Sequence, residues 1–122
     1  VATILIVEDD QTILRLLQTL LELEGYEVLI GRRKEQIFHI LSQEIPDLVI
    51  LDVHLWAKEG QKSSGYEVLE YIRRTPGLEH TQILMTSGMD LRQQALKAGA
   101  DDFLLKPYIP EELVNSIRSV LG

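Results

Sequence analysis

The sequence predicts an α/β fold in which a parallel five-stranded sheet lies between layers of helices. Three observations predict it. Short apolar runs recur along the chain without the polar alternation of a half-exposed strand, so both of their faces are buried. Each run is followed by a segment with apolar residues at helical spacing. This strand-helix order repeats five times, and right-handed crossovers then leave few topologies.

The first run, TILIV (3–7), reads as a buried strand. Residues 12–25 place Ile13, Leu16, Leu17, Leu20 and Leu21 at helical spacing, with Asp10 as N-cap and Gly25 as the stop. YEVLI (26–30) is a second strand, and residues 34–45 form a helix with Ile37, Ile40 and Leu41 inward, ended by Pro46. DLVILD (47–52) is the third strand. After the polar stretch AKEGQKSS (57–64), Ser64 and Glu67 stand at capping-box spacing before a helix carrying Val68, Leu69 and Ile72. QILM (82–85) is the fourth strand, followed by a short helix over 91–100 that Gly99 closes. DFLL (102–105) is the fifth strand. The last helix, 110–121, starts with Pro110 and two acids, and turns Leu113, Val114, Ile117, Val120 and Leu121 inward.

With 122 residues the chain makes one domain, 1–122, around a single sheet. Its formal net charge of −7 argues against direct binding of nucleic acid or of an acidic membrane surface. No run is long and apolar enough to span a membrane, and none reads as a signal peptide. The absence of cysteine removes thiolate metal sites and fits a reducing compartment, so a cytoplasmic location is expected. The first residue is Val and the last helix ends one residue before the terminus, as in a processed form or a piece of a longer protein.

In a parallel sheet the ligand site lies beyond the carboxyl ends of the strands. Strand 1 delivers Glu8 and Asp9 there, strand 3 Asp52, strand 4 Thr86 and Ser87, and strand 5 Lys106 followed by Pro107. If these strands are neighbours, three carboxylates meet one hydroxyl and one ammonium. Two like charges ~5 Å apart at an effective dielectric of ~20 repel by roughly 3 kcal/mol. Hard oxygens with excess negative charge suit Mg²⁺, which takes only one or two protein carboxylates and keeps several waters. A phosphoryl group attacked by Asp52 would then have cationic and hydroxyl partners around its oxygens. Singly, each of these residues is an ordinary cap, turn or surface group. Their joint placement at separate strand ends is what points to chemistry.

The segments ILIVEDD, DLVILDV, ILMTSG and GADDFLLKP together resemble the receiver domain of two-component response regulators. The resemblance implies a flavodoxin-like (βα)5 three-layer sandwich with strand order 2-1-3-4-5. It implies that Asp52 is the phosphoacceptor, that Asp9 binds Mg²⁺ directly and Glu8 mostly through water, and that His54 lends its backbone carbonyl to the metal. Mn²⁺ would substitute for Mg²⁺. Thr86 and Phe103 match the switch residues, and Lys106 the lysine that pairs with the acceptor or its phosphate. The Lys106–Pro107 bond would be cis. His54 and Gly88, each two positions beyond Asp52 and Thr86, would line the approach of hydrolytic water. The donor would be a histidine kinase or a histidine phosphotransfer protein. The response would be a change in the surface of helix 4, strand 5 and helix 5, read by an output domain or effector, with homodimerisation on phosphorylation. As an enzyme the domain would catalyse only its own phosphorylation and dephosphorylation.

The sequence departs from that pattern in several places. Trp56 stands where the family usually has Pro, beside the pocket and so also a candidate modulator of access. The stretch from Asp52 to Gly65 is longer than usual through AKEGQKS (57–63), an inexpensive insertion in entropy. The span from Thr86 to Lys106 is shorter, so helix 4 should be short or shifted. Ile109 replaces the expected capping residue before Pro110. Three other readings compete with the switch. They are a receiver-like interaction module that is never phosphorylated, a Mg²⁺-dependent phosphohydrolase, and a flavin-binding module of related topology.

Overall fold

A computed structural model describes residues 1–55 and 65–122. Five strands and five helices alternate: β1 (Thr3–Val7), α1 (Gln11–Leu23), β2 (Glu27–Gly31), α2 (Lys34–Gln43), β3 (Leu48–Asp52), α3 (Gly65–Arg74), β4 (Gln82–Ser87), α4 (Arg92–Ala98), β5 (Asp102–Leu105) and α5 (Pro110–Leu121). All strand pairs are parallel, in the order β2-β1-β3-β4-β5. The architecture is the flavodoxin-like three-layer sandwich.

The apolar runs are continuous because both sheet faces are covered. Ile4 and Ile6, with Leu48 and Ile50, pack with Leu14, Leu17 and Leu21 of α1 and Leu113 and Ile117 of α5. Leu5 and Val7, with Val49 and Leu51, pack on the other side with Ile37, Leu41, Val68, Leu69, Ile72 and Ala95. Successive strand residues thus alternate between two cores. Arg73 of α3 ties one helix layer together. Its guanidinium donates to the carbonyls of Thr81 and Gly99 and pairs with Asp101 at 2.7 Å.

Helix α1 is rotated relative to the periodicity expected from sequence. Leu14 is buried and Leu16 is 66% exposed. The stripe that meets the sheet runs through Leu14, Leu17 and Leu21, which pack with Ile4, Ile6, Leu48 and Ile50, and Leu16 falls outside it; the Asp10 carboxylate caps the amides of Thr12 and Ile13 as expected. Gly99 closes α4 in the left-handed conformation, and α4 has only seven residues. At α5 the Ile109 side chain offers no cap, but the Glu112 carboxylate accepts the Ile109 N–H at 3.2 Å. Trp56, the insertion at 57–63 and the Ser64 half of the capping box lie outside the described residues.

Candidate functional site

The register of the sheet sets the site. Asp52 and Thr86 are direct partners across β3 and β4. Leu105 pairs with Ser87, and the Lys106 N–H donates to the Ser87 carbonyl at 2.8 Å. On the other flank Val7 pairs with Gly31 and Leu51, so Glu8 and Asp9 emerge beside the end of β3. Four strands therefore deliver their terminal side chains to one rim.

The Lys106 ammonium donates to Asp52 Oδ2 and lies 3.8 Å from Glu8 Oε1. It bridges residues from two other strand ends, those of β1 and β3. The other Asp52 oxygen, Oδ1, accepts the His54 N–H at 2.8 Å. Glu8 is 6% exposed, and its Oε2 accepts the amides of Asp9 and Asp10 at 3.0 Å each. Glu8 thereby shapes the turn that presents Asp9. Thr86 is buried and Ser87 fully so, with the Ser87 hydroxyl accepting the Met89 N–H. Phe103 is buried, and its carbonyl accepts from the Arg92 guanidinium at 3.0 Å. The Lys106–Pro107 peptide is cis. The His54 and Gly88 residues are exposed at the mouth. Of the candidate site residues, Trp56 lies outside the described residues.

Burial pushes the Glu8 carboxyl above its ordinary value. The amide of Asp10 and the Lys106 ammonium oppose this, whereas the neighbouring Asp9 carboxyl and the Asp52 charge add to it. For Lys106, burial alone would lower the pKa. The hydrogen bond and charge of Asp52, with Glu8 and Tyr108, outweigh it and hold the ammonium above its usual range. Glu8 thus carries mainly a burial penalty, while Asp52 has the direct lysine partner. Above the ordinary carboxyl value of 4.5 the unfolded chain releases the Glu8 proton before the folded one does. Stability therefore falls as pH rises from there through the raised value. Glu8→Gln should raise Tm at neutral pH without divalent cation, and the gain should vanish below the ordinary carboxyl range. Thermal unfolding followed across pH in chelator checks this, and a Gln variant that melts lower at neutral pH contradicts it.

The donor set tests the metal expectation. Among the described residues, no three His, Cys, Asp or Glu side chains are gathered closely enough to enclose an ion by themselves. The residues present are nonetheless all hard oxygen donors. The Glu8, Asp9 and Asp52 carboxyls influence one another here, and the Lys106 ammonium faces Glu8 and Asp52. That set fits a hydrated Mg²⁺ taken by one or two carboxylates, and it does not fit a fully protein-ligated ion such as structural zinc.

Sequence reasoning missed Gly65. Its N–H donates to the Val53 carbonyl at 2.7 Å, and a Cβ at this position would collide with the backbone carbonyl of Asp52. The first turn of α3 is therefore pressed onto the backbone that aims the Asp52 carboxylate. The available signal was a glycine opening a helix, where a side chain would normally cost nothing.

A parallel sheet of this order, with an aspartate, an acid pair and a lysine meeting at its carboxyl rim, defines a receiver-type signalling domain. The sequence profile described as "Response regulator receiver domain" matches residues 4–118. The chain belongs to that family. It is 38% identical over 121 residues to the transcriptional regulatory protein CpxR of Escherichia coli (strain K12), covering 97% of this chain and 48% of CpxR. It is 35% identical to the "Probable transcriptional regulator ycf27" of Porphyridium aerugineum, covering 97% of this chain and 47% of that protein. The chain thus spans about half the length of these curated relatives. The crystal structure of a response regulator from Chloroflexus aurantiacus superposes with a TM-score of 0.87 at 33% identity, covering 98% of this chain and 97% of that one.

Proposed function

We propose that residues 1–122 are the phosphoryl-accepting receiver domain of a two-component or phosphorelay regulator, with Asp52 as acceptor. The observation that carries this reading is the Lys106 ammonium bridging Asp52 and Glu8. A cation beside Asp52 and the buried Glu8 supports a role for Asp52 in holding an anionic group. The donor is a phosphohistidine on a histidine kinase or histidine phosphotransfer protein. A carboxylate oxygen of Asp52 attacks phosphorus, the N–P bond breaks, and the imidazole leaves with the electron pair and takes a proton from water. Glu8 and Asp9, with Asp52 and the His54 carbonyl, would hold Mg²⁺, or Mn²⁺ in its place. Bound there, the cation would neutralise charge on the transferring group. Lys106 would stay beside the phosphorylated carboxyl, and the hydroxyl of Thr86, the residue paired with Asp52 in the sheet, would donate to a phosphoryl oxygen. The domain supplies the catalytic groups for its own phosphorylation and for hydrolysis, in which water reaches the site past His54 and Gly88.

Output passes through α4, β5 and α5. Arg92 of α4 donates to the Phe103 carbonyl and pairs with Asp102, and Ser116 of α5 donates to the same Asp102 carboxylate at 2.7 Å. A shift of Thr86 and Phe103 toward the phosphoryl group would act on this junction, a two-state element biased by phosphorylation. Leu96 and Leu105 are exposed on it and would meet an output domain, an effector or a second copy of the chain. CpxR and ycf27 are named as transcriptional regulators, so an output domain acting on transcription is the reading they favour. The net charge of −7 leaves nucleic-acid contact to that domain rather than to these residues. The proposed setting is cytoplasmic. Among the described residues no helix is long and apolar enough to cross a membrane.

Incubation with acetyl phosphate and Mg²⁺ tests the reading. One acid-labile phosphate per chain is expected, lost in Asp52→Asn and in excess chelator. No phosphate on the wild type would leave the interaction-module reading. Sustained turnover of an external phosphoester would favour the hydrolase.

A further inference from the structure

The segment Arg32-Arg33-Lys34 is the one run of three consecutive cations in a chain with net charge −7. Its location is unfavourable for local structure. It occupies the start of α2, with Arg33 at the N-cap in an extended conformation and making no capping hydrogen bond. Ser, Thr, Asp and Asn are preferred there, and cations oppose the positive end of the helix dipole. Helix stability therefore does not explain the triplet.

Position does. Gly31 pairs with Val7, and the Glu8 N–H donates to the Gly31 carbonyl at 3.2 Å, so residue 32 enters the rim beside the acid turn. Asp9, Arg32, Arg33, Glu35 and Gln36 line one open cavity of about 590 Å³. Lys34 is drawn off sideways by an ion pair with Glu67 of α3 at 2.8 Å. Arg33 is exposed, and among the described residues no partner for its guanidinium is seen. Glu35 stands in the first turn of α2, where it offsets the dipole, and Asp9 belongs to the phosphoryl site. The outcome is a basic lip next to an acidic mouth.

We propose that Arg32 and Arg33 form a docking subsite for carboxylates that a protein phosphodonor carries beside its phosphohistidine. This rests on the phosphoacceptor reading above. The mouth itself repels an anionic donor, and an adjacent guanidinium pair restores attraction on one side only. Guanidinium binds carboxylate in a planar two-point geometry, so the lip sets the orientation of the donor as well as its approach. A small donor such as acetyl phosphate has no second anionic group to reach the lip. The subsite therefore distinguishes donors by the charge around their histidine.

The experiment uses synthetic peptides with a single histidine phosphorylated by phosphoramidate, flanked by Glu, by Gln or by Lys. Transfer to the whole chain is measured with Mg²⁺ at low salt. The wild type should accept from the Glu peptide about tenfold faster than from the Gln peptide, and the ratio should collapse at high ionic strength. It should fall to about one in Arg32→Gln/Arg33→Gln, and Arg32→Glu/Arg33→Glu should prefer the Lys peptide. Circular dichroism and Tm establish that each variant is folded. A wild-type ratio near one, or a preference that survives both double substitutions, overturns the docking subsite. Acetyl phosphate run in parallel on the wild type separates the two readings. Labelling without peptide discrimination rejects only the lip, whereas no labelling rejects the phosphoacceptor and the lip together.

Discussion

Gly65→Ala is expected to lower stability by about 2–3 kcal/mol and to depress phosphoryl uptake at Asp52 as well. The added methyl would run into the Asp52 carbonyl oxygen, which is main chain and cannot rotate away, and it would also press on the Met85 side chain. Relief requires α3 to retreat, which breaks the hydrogen bond from Gly65 to the Val53 carbonyl. Alternatively the Asp52 peptide tilts, which re-aims its carboxylate away from Lys106. Either response costs packing that is close to solid density around Val68, Leu69 and Ile72. Gly88→Ala is the matched control. Nothing lies within 4 Å of a Cβ at Gly88, so its melting curve should stay within about 0.5 kcal/mol of wild type. Denaturant titration of both variants gives the stability comparison, and acetyl phosphate labelling of Gly65→Ala against wild type gives the uptake. Equal stability of the two would show that α3 does not bear on the acceptor.

Lys106→Met should cost about 2 kcal/mol at neutral pH and slow phosphoryl transfer by about a hundredfold. The ammonium is 27% exposed and its Asp52 partner 12%, so the pair is neither a surface bridge nor fully dry. Removing it leaves Asp52 and Glu8 facing each other without a cation. The pH dependence has a definite sign. The Lys106 pKa is raised in the fold, so the pair's contribution is present below the ordinary lysine value of 10.5 and lost as pH rises through the folded one. In the Met variant that loss is already complete at neutral pH. The Glu8 carboxyl, deprived of the ammonium that lowered its pKa, should rise further. The variant's deficit should then be largest near neutral pH and shrink in acid, where the carboxyls protonate. A deficit that stays constant from neutral to acid pH would mean that Lys106 contributes packing rather than charge.

Periodicity and breakers made most of the fold readable. Strand runs such as TILIV and DLVILD show no alternation because Ile4 and Leu5 both find a core, on opposite faces. The phase of α1 was not readable from leucines alone. Its density of leucine allows two faces, and packing against Ile4, Ile6, Leu48 and Ile50 selects the one with Leu14 inward. Asp52, Thr86 and Lys106 could be grouped because each ends a separate strand, and register then brings them together. Two features depend on distance rather than pattern. Gly65 is a contact between a helix start and a strand end, which no local window contains. The unequal roles of the acid pair, with Glu8 buried as the organiser of the turn and Asp9 exposed at the mouth, follow from backbone amides turning toward Glu8. Adjacent letters in the sequence are otherwise equivalent.

In the proposed reaction the Asp52 carboxylate itself receives the phosphoryl group. The most direct measurement is borohydride reduction of acetyl phosphate-treated protein, which converts an acyl phosphate to the alcohol, followed by peptide mass spectrometry. The account predicts homoserine at position 52 and nowhere else, dependent on Mg²⁺. Reduction product at Glu8, Asp9 or Asp10, or a phosphate retained on a histidine with Asp52 intact, would contradict it.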